Sequence, residues 1–151
     1  MLALLVIPAF APAAPRRIST FDQLMNALKS GQQVRTVVEY AKTKLVIDGK
    51  EEPAPDAIGG SKIEHWEWFA RGVIRNPKAY VAFSETVLIA HPRHGHVYNY
   101  VRFRVYEDSV VEITARYLLP TDFKIVMDET FTGRISNGRD KEGISFFVSE
   151  G

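Results

Sequence analysis

The chain has 151 residues, of which 46% are hydrophobic, 11% aromatic and 25% charged, a composition typical of one globular domain and not of a disordered or fibrous protein. Nineteen basic against eighteen acidic residues leave a formal net charge of +1, so we expect neither nucleic acid nor an anionic membrane surface as a partner. There is no cysteine, which excludes disulfides, cysteine-based zinc sites, iron–sulfur clusters and a thiol nucleophile.

The first fifteen residues differ from the rest of the chain. Leu2 to Phe10 is an apolar run, shorter than the roughly 20 residues that span a bilayer. Ala11-Pro12-Ala13 then has the small-x-small pattern that signal peptidase reads, although no lysine or arginine precedes the run. We predict a signal peptide over residues 1–14, cut near Ala13, and a periplasmic or secreted protein with no membrane span. An apolar tail or a misjudged start codon is the alternative.

One amphipathic helix is predicted at the start of the mature chain. Thr20-Phe21-Asp22-Gln23 has the capping-box form, preceded by Ser19, a second good N-cap. Four apolar residues follow at helical spacing, and Gly31 can adopt the left-handed conformation that ends a helix. They are Phe21, Leu24, Met25 and Leu28. A stripe this narrow predicts a helix that covers one side of a sheet.

After Gly31 the hydrophobic period changes from 3.6 to 2, and about eight strands are predicted. Asp48-Gly49 is a strong turn, Lys50 to Ser61 is expected to be a surface loop, and Ser136-Asn137-Gly138 is expected to open a hairpin. The predicted strands are residues 34–40, 45–47, 62–70, three consecutive strands within 79–119, residues 123–135 and residues 144–148.

The fold class is therefore mainly β, in a single domain over residues 18–149. Strands that follow one another so closely favour an antiparallel meander, and a sheet of eight short strands tends to curl shut as its twist accumulates. We predict a barrel or strongly rolled sheet with the N-terminal helix packed on it. A two-sheet β-sandwich is the alternative.

The register of the central meander follows from alternation. Val97, Asn99, Val101, Phe103 and Val105 share one face of a strand, and the next strand carries Val111, Ile113, Ala115 and Tyr117 on one face. Directly paired residues must share a face, so Val105 is predicted opposite Val111, and Phe103 opposite Ile113. This pairing leaves Glu107-Asp108-Ser109 as a three-residue loop and places Arg104 opposite Glu112.

The other face of the same strand carries alternating tyrosines and arginines, here called the Tyr/Arg face. Aromatic residues interleaved with arginine can stack on a ligand or grip a protein partner. The alternative is an ordinary solvated sheet face, which the near-zero net charge favours. The Tyr/Arg face consists of Tyr98, Tyr100, Arg102, Arg104 and Tyr106.

Three predicted strand faces that are otherwise apolar each carry one glutamate: Glu67, Glu85 and Glu129. His65, Asn99 and Tyr117 fall on faces of the same kind. If these faces line one interior, the six residues form a polar cluster among apolar walls, which is the composition of a ligand cavity or of an acid–base site. A β-bulge beside each glutamate, or a satisfied hydrogen-bond network, is the alternative.

Three of the four histidines lie within six residues, His91, His94 and His96, in the segment HPRHGH. His94 and His96 could share a face and bind Zn²⁺ or Cu²⁺ together with His91. Pro92 and Gly95 mark a tight turn, however, where solvated histidines are expected in any case. No phosphate loop, dinucleotide motif or Ser/His/Asp order is found, so no cofactor is predicted.

The chain resembles the VirK-type family of small exported bacterial proteins. The resemblance lies in FDQLMNALKSGQQVRTVVEYAK, in the turn at Ile58-Gly59-Gly60, in Asn76-Pro77-Lys78-Ala79-Tyr80, in VYNYVRFRVYEDSVVEITARYL and in MDETF. It implies export and an association with virulence or host interaction, without an established activity or functional residues.

The residues and the resemblance together favour a binding or accessory module over an enzyme. We expect a monomer whose partner is a small-molecule ligand in the interior or a protein on the Tyr/Arg face. An acid–base hydrolase or a small-ligand carrier that uses the inward carboxylates is the alternative function.

Overall fold

The computed structural model describes residues 14–149, so the predicted signal peptide lies outside the described residues except for Ala14. Within that range the chain forms one α-helix and eleven strands. In chain order they are β1 (Arg16–Ile18), α1 (Phe21–Lys29), β2 (Val34–Glu39), β3 (Lys44–Ile47), β4 (Lys50–Glu52), β5 (Ile58–Lys62), β6 (Glu67–Phe69), β7 (Tyr80–His91), β8 (Gly95–Tyr106), β9 (Val110–Leu118), β10 (Ile125–Arg134) and β11 (Ile144–Val148).

The strands are divided between two antiparallel sheets. The smaller sheet has the order β1-β11-β2-β5 and the larger has the order β4-β3-β10-β9-β8-β7-β6. The fold is mainly β with antiparallel sheets, as predicted. Neither sheet closes into a barrel, so the preferred barrel is not found and the two-sheet alternative fits the observed division.

The hydrophobic core lies between the two sheets and the helix. Phe83 and Phe103 of the larger sheet stack with their ring centroids 4.7 Å apart, and Phe83 meets Phe146 of the smaller sheet edge-on at 6.3 Å. The apolar stripe of α1 is buried in the same cluster. On β7, however, burial ends after Phe83, and Ser84 to Leu88 are all exposed. The smaller sheet therefore covers only part of the inner face of the larger one.

Both ends of α1 are capped as the sequence predicts. The Thr20 hydroxyl accepts a hydrogen bond from the Gln23 N–H at 3.2 Å, and the Gln23 side chain reaches back to accept from the Ser19 N–H at 2.8 Å. At the other end Gly31 has φ +74, and the N–H groups of Gly31 and Gln32 donate to the carbonyls of Leu28 and Ala27. This is the Schellman arrangement, in which a left-handed residue lets the chain turn back on the last carbonyls.

The predicted register of the meander is confirmed. Val105 lies opposite Val111, Phe103 opposite Ile113 and Arg104 opposite Glu112. The loop is the three residues 107–109, in which Ser109 takes the left-handed conformation at φ +64 and its N–H donates to the Tyr106 carbonyl at 2.8 Å. Alternation sufficed here because a slip of one residue would have exposed the buried side chains of both strands.

The predicted surface loop at residues 50–61 is partly wrong, because it contains β4 and most of β5. β5 pairs along β2 despite the consecutive glycines Gly59 and Gly60. A Cβ built on Gly59 would lie 3.1 Å from Cε2 of Tyr40, so the glycine lets the tyrosine ring approach the strand. From the sequence, two consecutive glycines indicate a loop. Here they lie in a strand, where the missing side chain lets the Tyr40 ring come close.

Two further elements differ from the prediction. The strand predicted for residues 62–70 is reduced to β6, because Ile63 remains bound to β2 through its N–H, which donates to the Val34 carbonyl at 2.9 Å. β11 does not form a hairpin with β10 but crosses to the smaller sheet, where it lies between β1 and β2. The Asp140 carboxylate organises the connecting loop by accepting from the Ser136 hydroxyl and the Asn137 N–H.

Candidate functional site

The uncovered part of the larger sheet's inner face carries two rows of paired residues. One row runs Glu85, Val101, Ala115 and Glu129 across β7, β8, β9 and β10. The neighbouring row runs Val87, Asn99, Tyr117 and Met127 across the same strands. Four of the six residues predicted for a ligand site therefore share one face, and they alternate with apolar side chains.

These rows form the floor of a cleft. Its other wall comes from β2 and β5 of the smaller sheet, from Tyr40, and from Pro55 and Ala57, which precede β5. The cleft has two recesses of about 240 Å³ and 200 Å³, which share Tyr40, Asn99 and Val101. Glu85 lines the first recess, opposite Gly59 to Ser61 of β5. Glu129 and Tyr117 line the second, together with Pro55 and Ala57. We call these two recesses together the Tyr40 cleft.

Tyr40 separates the two recesses and is held from two sides. Its ring meets Phe131 edge-on, with the centroids 4.8 Å apart, and Gly59 leaves room for it on the other side. Burial, together with the nearby Tyr117 hydroxyl, raises the pKa of Tyr40 above its ordinary value. The phenol is therefore neutral at physiological pH and can donate a hydrogen bond into the cleft.

Five polar side chains of the Tyr40 cleft make no hydrogen bond or ion pair within residues 14–149. The hydroxyls of Tyr40 and Tyr117 and the side-chain amide of Asn99 make no hydrogen bond there, and neither Glu85 nor Glu129 belongs to an ion pair. Partial burial raises the pKa of Glu129. An apolar cleft with several unengaged polar groups is suited to an amphipathic small molecule, because such sites use few polar contacts to orient a mostly apolar ligand.

Glu67 and His65 lie away from this cleft. Glu67 pairs with Ala82, which pairs with Arg104, so Glu67 is on the outer face of the larger sheet. Both Glu67 and His65 are exposed. The prediction that all three glutamates line one interior is wrong for Glu67, because the chain bends at His65 and the alternation counted from Ile63 does not continue into β6.

The three clustered histidines lie at the β7–β8 turn. The His91 and His94 rings stack with their centroids 4.9 Å apart, and His91 Nδ1 accepts a hydrogen bond from the Arg93 N–H at 3.2 Å. His96 is exposed on β8. In the part of the chain that the structure describes, no three His, Cys, Asp or Glu side chains are grouped so that they could hold a metal ion.

The Tyr/Arg face lies on β8 as predicted, and its five residues are all half-buried. One of its two arginines is ion-paired, since Glu112 of β9 lies 3.5 Å from Arg104, and beside the face Asp128 lies 3.0 Å from Arg116. The Arg104 guanidinium also lies 5.4 Å from the ring centroid of Tyr80. Because Glu112 neutralises Arg104 within the sheet, the Tyr/Arg face is not a basic patch.

Two residues of the cleft, Tyr40 and Gly59, cannot be recognised as site residues from the sequence. Tyr40 follows β2 in a short 3₁₀ turn, and its sequence position indicates only the end of a strand. The sequence around Gly59 predicts a loop. The signal that could have found them is a large aromatic residue just after one strand and a glycine on the strand beside it, and this contact cannot be recognised until the strand pairing is known.

Comparison with known proteins assigns the chain to a family. The family model described as VirK protein matches residues 17–123, which is more than half of the chain. The protein belongs to the VirK family. A crystal structure of a VirK family protein from Legionella pneumophila has the same fold, with a TM-score of 0.68 and 13% sequence identity over 87% of this chain and 98% of that one. No curated protein matches this VirK protein by sequence. Among residues 14–149, none of its helices is long and apolar enough to cross a membrane.

Proposed function

We propose that this VirK protein is an exported binding module that carries a small amphipathic molecule in the Tyr40 cleft. The observation that carries the proposal is the set of unengaged polar groups, from Tyr40, Asn99 and Tyr117, in a cleft with apolar walls. Export to the periplasm or the medium is supported by the apolar run and the small-x-small pattern at the start of the chain. The family resemblance supports a role in host interaction.

Binding accounts for the site better than hydrolysis does. Glu85 and Glu129 lie on β7 and β10, three strand spacings apart, so their backbones are separated by about 14 Å. Glycoside hydrolysis uses two carboxyl groups about 5–9.5 Å apart. Glu67 lies on the opposite face of the sheet and cannot take the place of either. The arrangement therefore favours a carrier over an acid–base hydrolase.

The test is native mass spectrometry of the protein purified without denaturation from its own source. We expect a retained small molecule, seen as a mass above that of the chain. The variant Asn99→Leu keeps the shape of the cleft and removes its central amide, and we expect it to retain about tenfold less ligand, because a polar group of the ligand loses its partner.

The matched control is Thr86→Leu, which makes a similar change on the exposed outer face of neighbouring β7. It should retain the ligand as the natural protein does. A natural protein that shows only the mass of its own chain, or equal retention by both variants, would contradict the proposal.

A further inference from the structure

The edge of β7 is unpaired over most of its length. β6 pairs with Tyr80 to Ala82 only, and from Ser84 onward no strand among the described residues lies on that side of β7. β8 pairs with the other side of β7 along all twelve residues without a register shift. Ser84 to Ala90 is therefore a straight seven-residue edge that is already held in strand conformation.

The N–H and C=O groups of successive residues in a strand point to opposite sides, and this alternation identifies which residues of β7 have unpaired backbone groups. The Tyr106 carbonyl accepts from the Ser109 N–H, so the backbone groups of Tyr106 face β9 and those of Val105 face β7. Val81 is the partner of Val105 and must face β8, so the even-numbered residues of β7 face away from β8. The residues that present free N–H and C=O groups are Ser84, Thr86, Leu88 and Ala90.

Most of the features that usually protect an edge strand from pairing are absent between Ser84 and Ala90, where Glu85 on the inner face is the one charged side chain. The segment contains no proline, no lysine and no bulge. Its apolar side chains are open to solvent, with 45% of Val87 and 54% of Leu88 exposed. An edge of this kind favours the addition of another strand, because that strand would satisfy the free backbone groups and cover the apolar side chains.

There is room for an added strand where β6 leaves β7. The chain bends away at His65 and Trp66, and these two residues border a recess of about 630 Å³ that reaches Ala82 and Ser84. A strand added along Ser84 to Ala90 would continue the line of β6 and end in this recess. Its inward side chains would lie beside those of Glu85, Val87 and Ile89, at the mouth of the Tyr40 cleft.

The charges at the edge indicate what the added strand contains. Within the described part of the chain, neither Glu85 nor Glu67 belongs to an ion pair. The arginine nearest in register, Arg102, pairs with Ser84 on the outer face and donates to Thr114 on β9 at 3.4 Å, so it lies on the opposite face of the sheet from Glu85. A strand that adds here gains from a basic residue opposite Glu85 and from apolar residues opposite Val87 and Ile89.

We propose that the free edge of β7 binds an extended peptide segment of a partner protein by antiparallel strand addition, with a basic residue opposite Glu85. A second copy of this chain fits less well. Seven residues span about 23 Å and a strand edge is roughly 10 Å deep, which gives each partner about 230 Å², against about 800 Å² per partner in a stable interface. A peptide that binds transiently needs less buried area than a stable dimer, and a peptide can also extend into the recess beside His65 and Trp66.

The probe is the synthetic peptide Ac-Thr-Val-Thr-Val-Thr-Lys-Thr-NH₂, whose lysine meets Glu85 when its first residue lies opposite Ala90. Binding is measured by calorimetry with the full chain. Methylation of the backbone nitrogens of its third and fifth residues should weaken binding at least about tenfold, because those N–H groups face β7. The same modification at its second and fourth residues should change binding little. Equal effects of the two modifications, or no binding, would overturn the proposal.

Two protein variants complete the test. Thr86→Pro removes a free-edge N–H without removing a β7–β8 bond, so the fold should remain while peptide binding is lost. Glu85→Gln should weaken binding of this peptide about threefold to tenfold. It should not change the binding of an analogue in which threonine replaces the lysine. Asn99→Leu should leave peptide binding unchanged, which separates this proposal from that of a ligand in the Tyr40 cleft. A dimer in analytical ultracentrifugation that Thr86→Pro abolishes would assign the edge to a second copy instead.

Discussion

At the scale of single residues, Glu129 shows how the Tyr40 cleft changes the chemistry of a side chain. It pairs with Ala115 on the inner face of the sheet and belongs to no ion pair among the described residues. Partial burial disfavours its charged form and raises its pKa. Any further loss of water around this carboxyl group would raise its pKa further, for the same reason.

The raised pKa predicts a pH-dependent effect of Glu129→Gln on stability. Because the folded-state pKa lies above the unfolded one, protonation stabilises the fold below the unfolded pKa of about 4.3, and this stabilisation is lost as the pH rises through the folded pKa. Glu129→Gln should therefore melt at a higher temperature than the natural protein at pH 7, and the difference should shrink toward pH 4.

Thermal melts of both proteins at pH 4, 5.5 and 7 measure this effect. Glu67 is exposed and belongs to no ion pair among residues 14–149, so it provides the control: Glu67→Gln should change the melting temperature little at any of these values. A Glu129→Gln variant that is less stable than the natural protein at pH 7 would mean that the charged carboxylate has a stabilising partner.

At the scale of elements, the helix and the meander were predictable from the sequence because their determinants are local. Thr20, Gln23 and Gly31 occupy the capping positions of α1 that the sequence assigned to them. In the meander, alternation together with the placement of Arg104 opposite Glu112 selected the observed three-residue loop. The helix also contacts this loop, since the Phe21 N–H donates to Oγ of Ser109 at 3.1 Å.

Thr20→Ala tests the cap of α1. It removes the acceptor of the Gln23 N–H and should lower the free energy of unfolding by about 1 kcal/mol. Thr20→Ser keeps the hydroxyl and should lower it by much less. Urea denaturation followed by circular dichroism measures both. Equal losses in the two variants would show that the threonine methyl group, and not the hydrogen bond, stabilises the helix start.

At the scale of the whole molecule, β11 determines the division into two sheets. It is one of the two inner strands of the smaller sheet, paired with β1 on one side and β2 on the other. Its residue Phe146 is fully buried and meets Phe83 of the larger sheet, whereas the next residue, Phe147, is half-buried under the Arg17 guanidinium. The two phenylalanines lie on opposite faces of one strand.

This difference predicts unequal costs for the same truncation. Phe146→Ala leaves a cavity between the sheets and should cost about 3–5 kcal/mol of the free energy of unfolding. Phe147→Ala removes one cation–π contact and some partly buried surface, and should cost about 1 kcal/mol. Chemical denaturation of both variants measures the ratio, and equal losses would contradict the packing of the two sheets through Phe146.

The sequence by itself determined what depends on neighbours along the chain: the helix with its caps, the long strands, the register of the meander and the position of Asn99 and Tyr117 with the apolar residues of their strands. Alternation defines which residues share a face of one strand, but it does not say which sheet that strand joins or where a bend interrupts it. Only the tertiary structure placed β11 in the smaller sheet, turned Glu67 to the outer face and brought Tyr40 onto Gly59. These three features depend on contacts between segments far apart in the chain, whose energies no local pattern records.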